Sequence, residues 1–255
     1  MYAFKRKYKF ILGLVIIIII SRYDLILFSE PMDDRVGELF LMHFFGGSYK
    51  MEKLDMSLSV VGLLGNIYIA LLFCDYLSED IKGYGELIFT RCSRIRWFAK
   101  KVLGTVFYSL LGTILNLFLY IANAVYTSNC SLDYRDILVI FSGISMLMLF
   151  TFNSIILINY FSLDYENSIG FILFYSGVIV STILAMNVQN YNNEMWKRIV
   201  SFINPMSNFL ISWNYGDFRV CYALAYFLAF SVISTALLWI KVRNMDVLVP
   251  KHDRE

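Results

Sequence analysis

Six long apolar stretches run through this chain, and little else separates them. They lie at roughly 9–28, 57–76, 102–127, 137–162, 169–187 and 219–240. A bilayer core takes about 20 apolar residues per helical crossing. Within lipid each backbone N–H and C=O needs an internal partner, which a helix supplies alone. The expected fold is therefore an all-α membrane protein with six transmembrane helices in one transmembrane domain covering residues 1–255. No connection is long enough for a sizeable soluble domain, so function must be exercised in the bilayer, at its faces, or through a partner.

Composition supports this and narrows the chemistry. Hydrophobic residues make up 58% of the chain, and mean hydropathy is +0.62. The net charge is only +2, which gives nucleic acid no obvious purchase. The four cysteines, Cys74, Cys92, Cys130 and Cys221, show no CxxC spacing, and His43 and His252 are the only histidines, so no metal site is expected. Cys130 and Cys221 both fall near one expected face, and a bridge between them stays open. Lys5, Arg6, Lys7 and Lys9 precede the apolar run Phe10 to Ile20 as in a signal peptide. No small-residue cleavage site follows, so an uncleaved first span is expected.

Charge orders the loops. The N-terminal end carries four basic residues, and the tail carries Lys241, Arg243, Lys251 and Arg254. Loop 77–101 carries Lys82, Arg91, Arg94, Arg96, Lys100 and Lys101. The opposite side spreads Arg35, Lys50, Lys53, Arg135, Lys197 and Arg198 over three loops. Lys/Arg bias marks the cytoplasmic face, which puts both termini and loop 77–101 inside. The even number of spans agrees.

Two outer loops carry helical patterns of their own. Residues 29–56 place Val36, Leu39, Phe40 and Phe44 at helical spacing, ending at Gly46-Gly47, as in a short interfacial helix. Residues 188–218 hold Trp196, Ile199, Val200 and Ile203, then Asn204-Pro205, then Phe209, Leu210 and Trp213. Proline interrupts the helix, and each half is too short to span. A re-entrant or surface-lying helical pair is expected, against the plainer alternative of a loop resting on the membrane.

Small residues mark helix contacts in lipid. Span three aligns Thr105, Ser109, Gly112, Asn116 and Asn123 on one stripe. Span five aligns Gly170, Gly177, Ser181 and Ala185. These stripes suit helix packing within one subunit, or else a substrate path or a seam between subunits, with Ser109, Gly112, Asn116, Gly177 and Ser181 the residues to watch. Arg22 and Asp24 interrupt span one near its outer end. No chain of buried acids or histidines suggests a proton-coupled pump.

Loop 77–101 is the most distinctive segment. Ser78-Glu79-Asp80 suits a helix start, and Gly83-Tyr84-Gly85 is expected to break or bend it. From Tyr84 onward Leu87, Ile88, Ile95, Phe98 and Val102 share a face, Arg94, Arg96, Lys100 and Lys101 fall mostly elsewhere, and Arg91 is the exception inside the apolar face. A short basic amphipathic helix on the inner membrane surface follows. It either satisfies topology and anionic lipid or serves as a lever for a soluble partner. The chain contains no GxxxxGK[ST], HExxH or GxSxG and no constellation of nucleophile, base and orienting group, so neither ATP binding nor catalysis is expected of it.

Six spans, a basic helical loop between spans two and three, and a helical insertion between spans five and six together resemble the permease subunits of ABC exporters of the ABC-2 type. The run Asp80-Ile81-Lys82-Gly83-Tyr84-Gly85-Glu86-Leu87-Ile88-Phe89-Thr90-Arg91-Cys92-Ser93-Arg94-Ile95-Arg96-Trp97-Phe98-Ala99-Lys100 resembles the coupling segment of small bacterial members. That resemblance implies a multi-pass permease of a bacterial plasma membrane, of the kind associated with antimicrobial peptide export or immunity. It implies ATPase-coupling roles for Asp80, Gly83, Arg91, Arg94, Arg96, Trp97 and Lys100, with Arg91, Arg94, Trp97 and Lys100 facing the ATPase. Asn204, Pro205 and Trp213 would form an outer gate. The implied partners are an ATP-binding subunit that carries ATP and magnesium, a second permease subunit, identical or related, and the lipid bilayer. A secondary transporter or channel, an intramembrane enzyme and a non-transporting scaffold are the alternatives.

Overall fold

A computed structural model describes residues 56–127, 134–187, 194–209 and 220–245, together with Val15, Ile19, Phe40, Phe44 and Phe45. Apart from Val15 and Ile19, which are helical, the first expected span lies outside the described residues, as do most of loop 29–56, Cys130 and Trp213. Every regular element among the described residues is helical: α1 (Met56–Leu72), α2 (Ser78–Arg91), α3 (Arg94–Thr127), α4 (Tyr134–Ser162), α5 (Asn167–Asn187), α6 (Glu194–Ile203), α7 (Pro205–Phe209) and α8 (Val220–Asn244).

Four helices contain segments long and apolar enough to cross a membrane: Arg94–Phe118, Val139–Ser162, Asn167–Ala185 and Cys221–Asn244. With 17 residues, α1 is about 25 Å long, at the short limit for a crossing. The chain is thus an all-helical membrane protein. The central helix is α4: 61% of its most apolar stretch is buried, against 22% in α3, 22% in α5 and 28% in α8. Its neighbours are α1, α3, α5 and α8.

Loop 77–101 departs from expectation in two ways. Gly83-Tyr84-Gly85 neither breaks nor bends α2, which is helical from Ser78 to Arg91. A helical glycine costs only about 1 kcal/mol, and Glu79 and Asp80 in the first turn with Arg91 in the last complement the helix dipole. The break falls instead at Cys92, which is extended at φ −140° and ψ 139°. Ser93 then starts α3, its C=O accepting the first helical bond from the Trp97 N–H at 3.1 Å, as an N-cap residue does. Arg94, Arg96, Trp97 and Lys100 therefore belong to the first turns of α3, and no amphipathic helix runs from 84 to 102.

Phe40, Phe44 and Phe45 also depart from expectation. They are helical and buried at the centre of the protein, not spread on an interface. Phe40 lies so close to Gly143 of α4 that a methyl group there would collide with its ring. The interruption at Asn204-Pro205 stands where it was expected. It divides α6, with Met195, Trp196, Phe202 and Ile203 exposed, from α7, with Met206, Ser207, Asn208 and Phe209 buried.

Three apolar clusters make up the core of the described residues, the smallest joining Ala70, Ile155, Ile158 and Tyr175; the two larger ones mark the ends. One joins Phe40, Phe44, Phe45, Leu63, Met146, Leu147, Phe150, Met206, Phe209 and Phe227. The other joins Leu77, Ile81, Trp97, Phe98, Phe152, Ile156, Leu163, Leu238 and Val242. The first sits beside α7. The second sits at the end where α2, the start of α3, the α4–α5 connection and the end of α8 meet.

Candidate functional site

The end built around α2 gathers most of the polar contacts between elements. At its centre is Asn159 of α4, fully buried. Its Oδ1 accepts hydrogen bonds from the backbone N–H of Leu77 at 3.0 Å and Ser78 at 3.2 Å. Its Nδ2 donates to the C=O of Phe73 at 3.2 Å and of Ile155 at 2.8 Å. The first N–H groups of a helix have no partner within it, and Leu77, at the N-cap position of α2, makes no side-chain cap bond. Asn159 supplies the cap from another helix, so the helix start at Ser78-Glu79-Asp80 is secured across space and not by its own residues.

Further bonds tie α2 to the same hairpin. The Ser78 hydroxyl donates to Asn167 Oδ1 at 3.0 Å, and the Lys82 ammonium donates to the Tyr165 C=O at 2.6 Å. The Asp80 carboxylate accepts from the Lys101 ammonium at 2.7 Å and from the Trp97 indole N–H at 3.4 Å, which joins α2 to α3. Lys101 also donates to the Tyr76 C=O at 2.9 Å and stands 3.9 Å from the centre of the Tyr76 ring. Arg94 closes the circuit. Its guanidinium donates to the C=O of Arg243 at 2.6 Å and of Met245 at 3.0 Å. A cation placed on the orphan carbonyls of a helix C-terminus stabilises that end. In α8 itself, Lys241 bonds the Tyr160 C=O at 2.7 Å and pairs with Asp164.

The cations of this end thus fall into two sets. Lys82, Arg94, Lys101 and Lys241 are bonded within the fold. Arg91, Arg96, Lys100 and Arg243 are exposed. Trp97 is buried against Phe89 and Asp80, and Gly83 is exposed on α2. Glu79 has its carboxyl pushed up, first by burial and then by neighbouring Asp80, with Lys101 opposing.

The other end turns on Asn204. Its Nδ2 donates to the Ser181 C=O at 2.8 Å, and its Oδ1 accepts from the Ser181 hydroxyl and from the Met206 N–H at 3.0 Å. Asn204 and Ser181, from two separate sequence patterns, are therefore bonded directly. Pro205 occupies the first position of α7, where a missing N–H costs nothing. Tyr226 of α8 donates to the Ile203 C=O at 2.6 Å.

Between these ends most of the small and polar residues join helices of the one chain. Ser109 does not, its hydroxyl bonding the Val106 C=O of its own helix. Gly112 admits Ile69, whose Cδ1 would lie 2.7 Å from an added Cβ. Asn116 donates to Asn66 Oδ1 at 3.4 Å. Asn153 donates to the Ser231 hydroxyl at 2.9 Å and accepts from Ser234 at 2.9 Å. Gly177 differs, for an added Cβ would meet nothing within 4 Å. It opens on a cavity of about 230 Å³ between α4, α5, α7 and α8. Cys221 is an exposed free thiol. Among the described residues no group of three His, Cys, Asp or Glu could hold a metal ion.

Sequence reasoning missed Asn159. Its partners Phe73, Leu77 and Ser78 lie about 80 positions away, and α4 carries a second asparagine, Asn153, so nothing local marks Asn159 out. It also missed Lys241 and Asp164.

The fold defines an all-helical membrane protein with a polar joint at one end of its bundle. It belongs to the family described as protein of unknown function (DUF2705), which matches residues 12–248. No curated protein and no solved structure matches the chain.

Proposed function

We propose that this chain is the membrane permease subunit of an ABC exporter of the ABC-2 type. It sits with both termini in the cytoplasm of a bacterial cell, crosses the plasma membrane six times, and moves an amphipathic or lipid-like molecule, such as a peptide, outward. ATP is hydrolysed by a separate subunit docked beneath α2, and a second permease subunit completes the pore.

The observation that carries this reading is the joint around Asn159. A lever must pass displacement on and not absorb it. Asn159, Ser78 and Lys82 bind α2 to α4 and α5, Asp80 binds it to α3, and Arg94 binds α3 to the end of α8. A push on α2 therefore reaches four long helices, and packed helices respond by shifting as rigid bodies between discrete arrangements. ATP can drive such a shift only through free energy that differs between the two arrangements. Arg91, Arg96 and Lys100, exposed beside the joint, offer a cationic face to an acidic partner. Aligned charges of this kind set association rate and specificity.

The test is co-purification in mild detergent followed by an ATPase assay. The intact chain is expected to bring down an ATP-binding subunit and stimulate its turnover. The triple variant Arg91→Glu, Arg96→Glu, Lys100→Glu should lower recovery at least about tenfold, equivalent to about 1.4 kcal/mol, with the permease still folded. Recovery of a wild-type amount of ATPase by that variant would remove the docking face from consideration.

A further inference from the structure

We infer that the cavity beneath Gly177 binds one acyl chain of a bilayer lipid. It is lined chiefly by Phe150 and Leu157 of α4, Leu173 and Gly177 of α5, and Phe227 and Phe230 of α8. Its lining on α4 extends from Phe150 to Phe161, which at 1.5 Å per residue is about 16 Å along the helix axis. A space of about 230 Å³ drawn out over that length is a slot shaped for a chain, not a pocket for a compact or planar molecule.

Water is a poor occupant. An ordered buried water needs two to four polar partners, and apolar cavities stay dry. The polar groups at the slot are already committed: Asn153 bonds Ser231 and Ser234, and Ser181 bonds Asn204. An empty slot would forfeit dispersion contacts along its whole wall. All three long walls belong to helices apolar enough to cross a membrane, which makes hydrocarbon the medium that the inference assigns to the opening. Gly177 is what keeps the slot clear, because a side chain there would project into it without touching anything.

The inference rests on the membrane fold alone and not on the exporter reading, so no ATPase enters its test. Full-length protein is reconstituted in nanodiscs containing phosphatidylglycerol with a diazirine at mid-chain. After illumination, adducts are mapped by mass spectrometry. Wild-type protein is expected to carry its densest labelling on Leu157, Leu173, Phe174 and Phe230, above that of Leu103 and Phe107 on the exposed face of α3. Gly177→Phe should lower slot labelling at least about fivefold, and Gly177→Leu by an intermediate factor, with α3 labelling unchanged and thermal unfolding within a few degrees of wild type. Equal labelling of slot and α3, or slot labelling that survives both substitutions, would overturn the inference. So would loss of the labelling when a second copy of the chain crosslinks across the slot in place of lipid.

Discussion

Both ends of the bundle combine apolar packing with hydrogen bonds, but in different proportion. At the α2 end the elements are linked by side chains that bond to backbone and to each other: Asn159, Ser78, Asp80, Lys82, Arg94, Lys101 and Lys241. At the α7 end the elements are linked mainly by rings. Phe209 lies 5.1 Å from Phe45, 4.9 Å from Phe150 and 6.0 Å from Phe227, centroid to centroid, with Asn204 the polar tie beside them. Hydrogen bonds to a buried amide have one good geometry, so the α2 end resists sliding. Ring contacts persist through small shifts, and in lipid they gain little from the hydrophobic effect because the surroundings are equally apolar. On the exporter reading proposed above, the α2 end would transmit a displacement and the α7 end would accommodate it.

Breaking the polar end should therefore have the larger effect. Asn159→Leu keeps the size of the side chain but leaves the N–H groups of Leu77 and Ser78 without their partner, while the Phe73 C=O keeps its bond from the Tyr76 N–H. At about 1–3 kcal/mol for each unmet buried group, and with some relaxation, a loss of about 3 kcal/mol is expected. Thermal unfolding in detergent would measure it, and hydrogen exchange would locate it at the start of α2. Phe209→Ala should cost about 2 kcal/mol, less than the 3–5 typical of a water-soluble core, because packing is lost but little transfer energy is. If Phe209→Ala proves costlier than Asn159→Leu, the contrast between the ends fails.

The sequence made the long helices legible and the joints obscure. The apolar runs located α3, α4, α5 and α8, and proline located the break at Asn204. Those signals are local, and lipid leaves a helix few alternatives. Loop 77–101 misled because its apolar period continues across Cys92, while the actual boundary rests on a single serine at position 93 and on an extended cysteine. The glycines at 83 and 85 carry too small a penalty to end a helix whose start is capped from elsewhere. Phe40 and Phe44 have the spacing of an interfacial helix, and only the tertiary fold reveals that Gly143 makes room for them in the core. The Asn204–Ser181 bond joined a gate pattern to a stripe pattern that nothing in the chain connects.

A smaller effect sharpens the electrostatics of the joint. Burial, and then Asp80, raises the Glu79 carboxyl above its usual value. A carboxyl whose pKa is raised on folding binds its proton more tightly in the folded state, so folding is favoured on acidification and slightly opposed once Glu79 ionises. Relative to wild type, Glu79→Gln should therefore gain stability as pH rises through the carboxylate range and lose that gain on acidification. Because the residue is largely solvated, the shift should be small, read as a modest rise in unfolding temperature across a pH series. A variant that loses stability relative to wild type as pH rises would mean that Lys101, not burial and Asp80, dominates at that position.

The most direct test of the account is the side of the membrane on which Arg96 and Lys100 stand. In a background with Cys74, Cys92, Cys130 and Cys221 changed to serine, Arg96→Cys and Lys100→Cys would be treated with a membrane-impermeant maleimide. No labelling in intact cells and full labelling in inside-out vesicles is the predicted result, because an ATPase can drive α2 only from the cytoplasm. Labelling of either position from outside intact cells would contradict it.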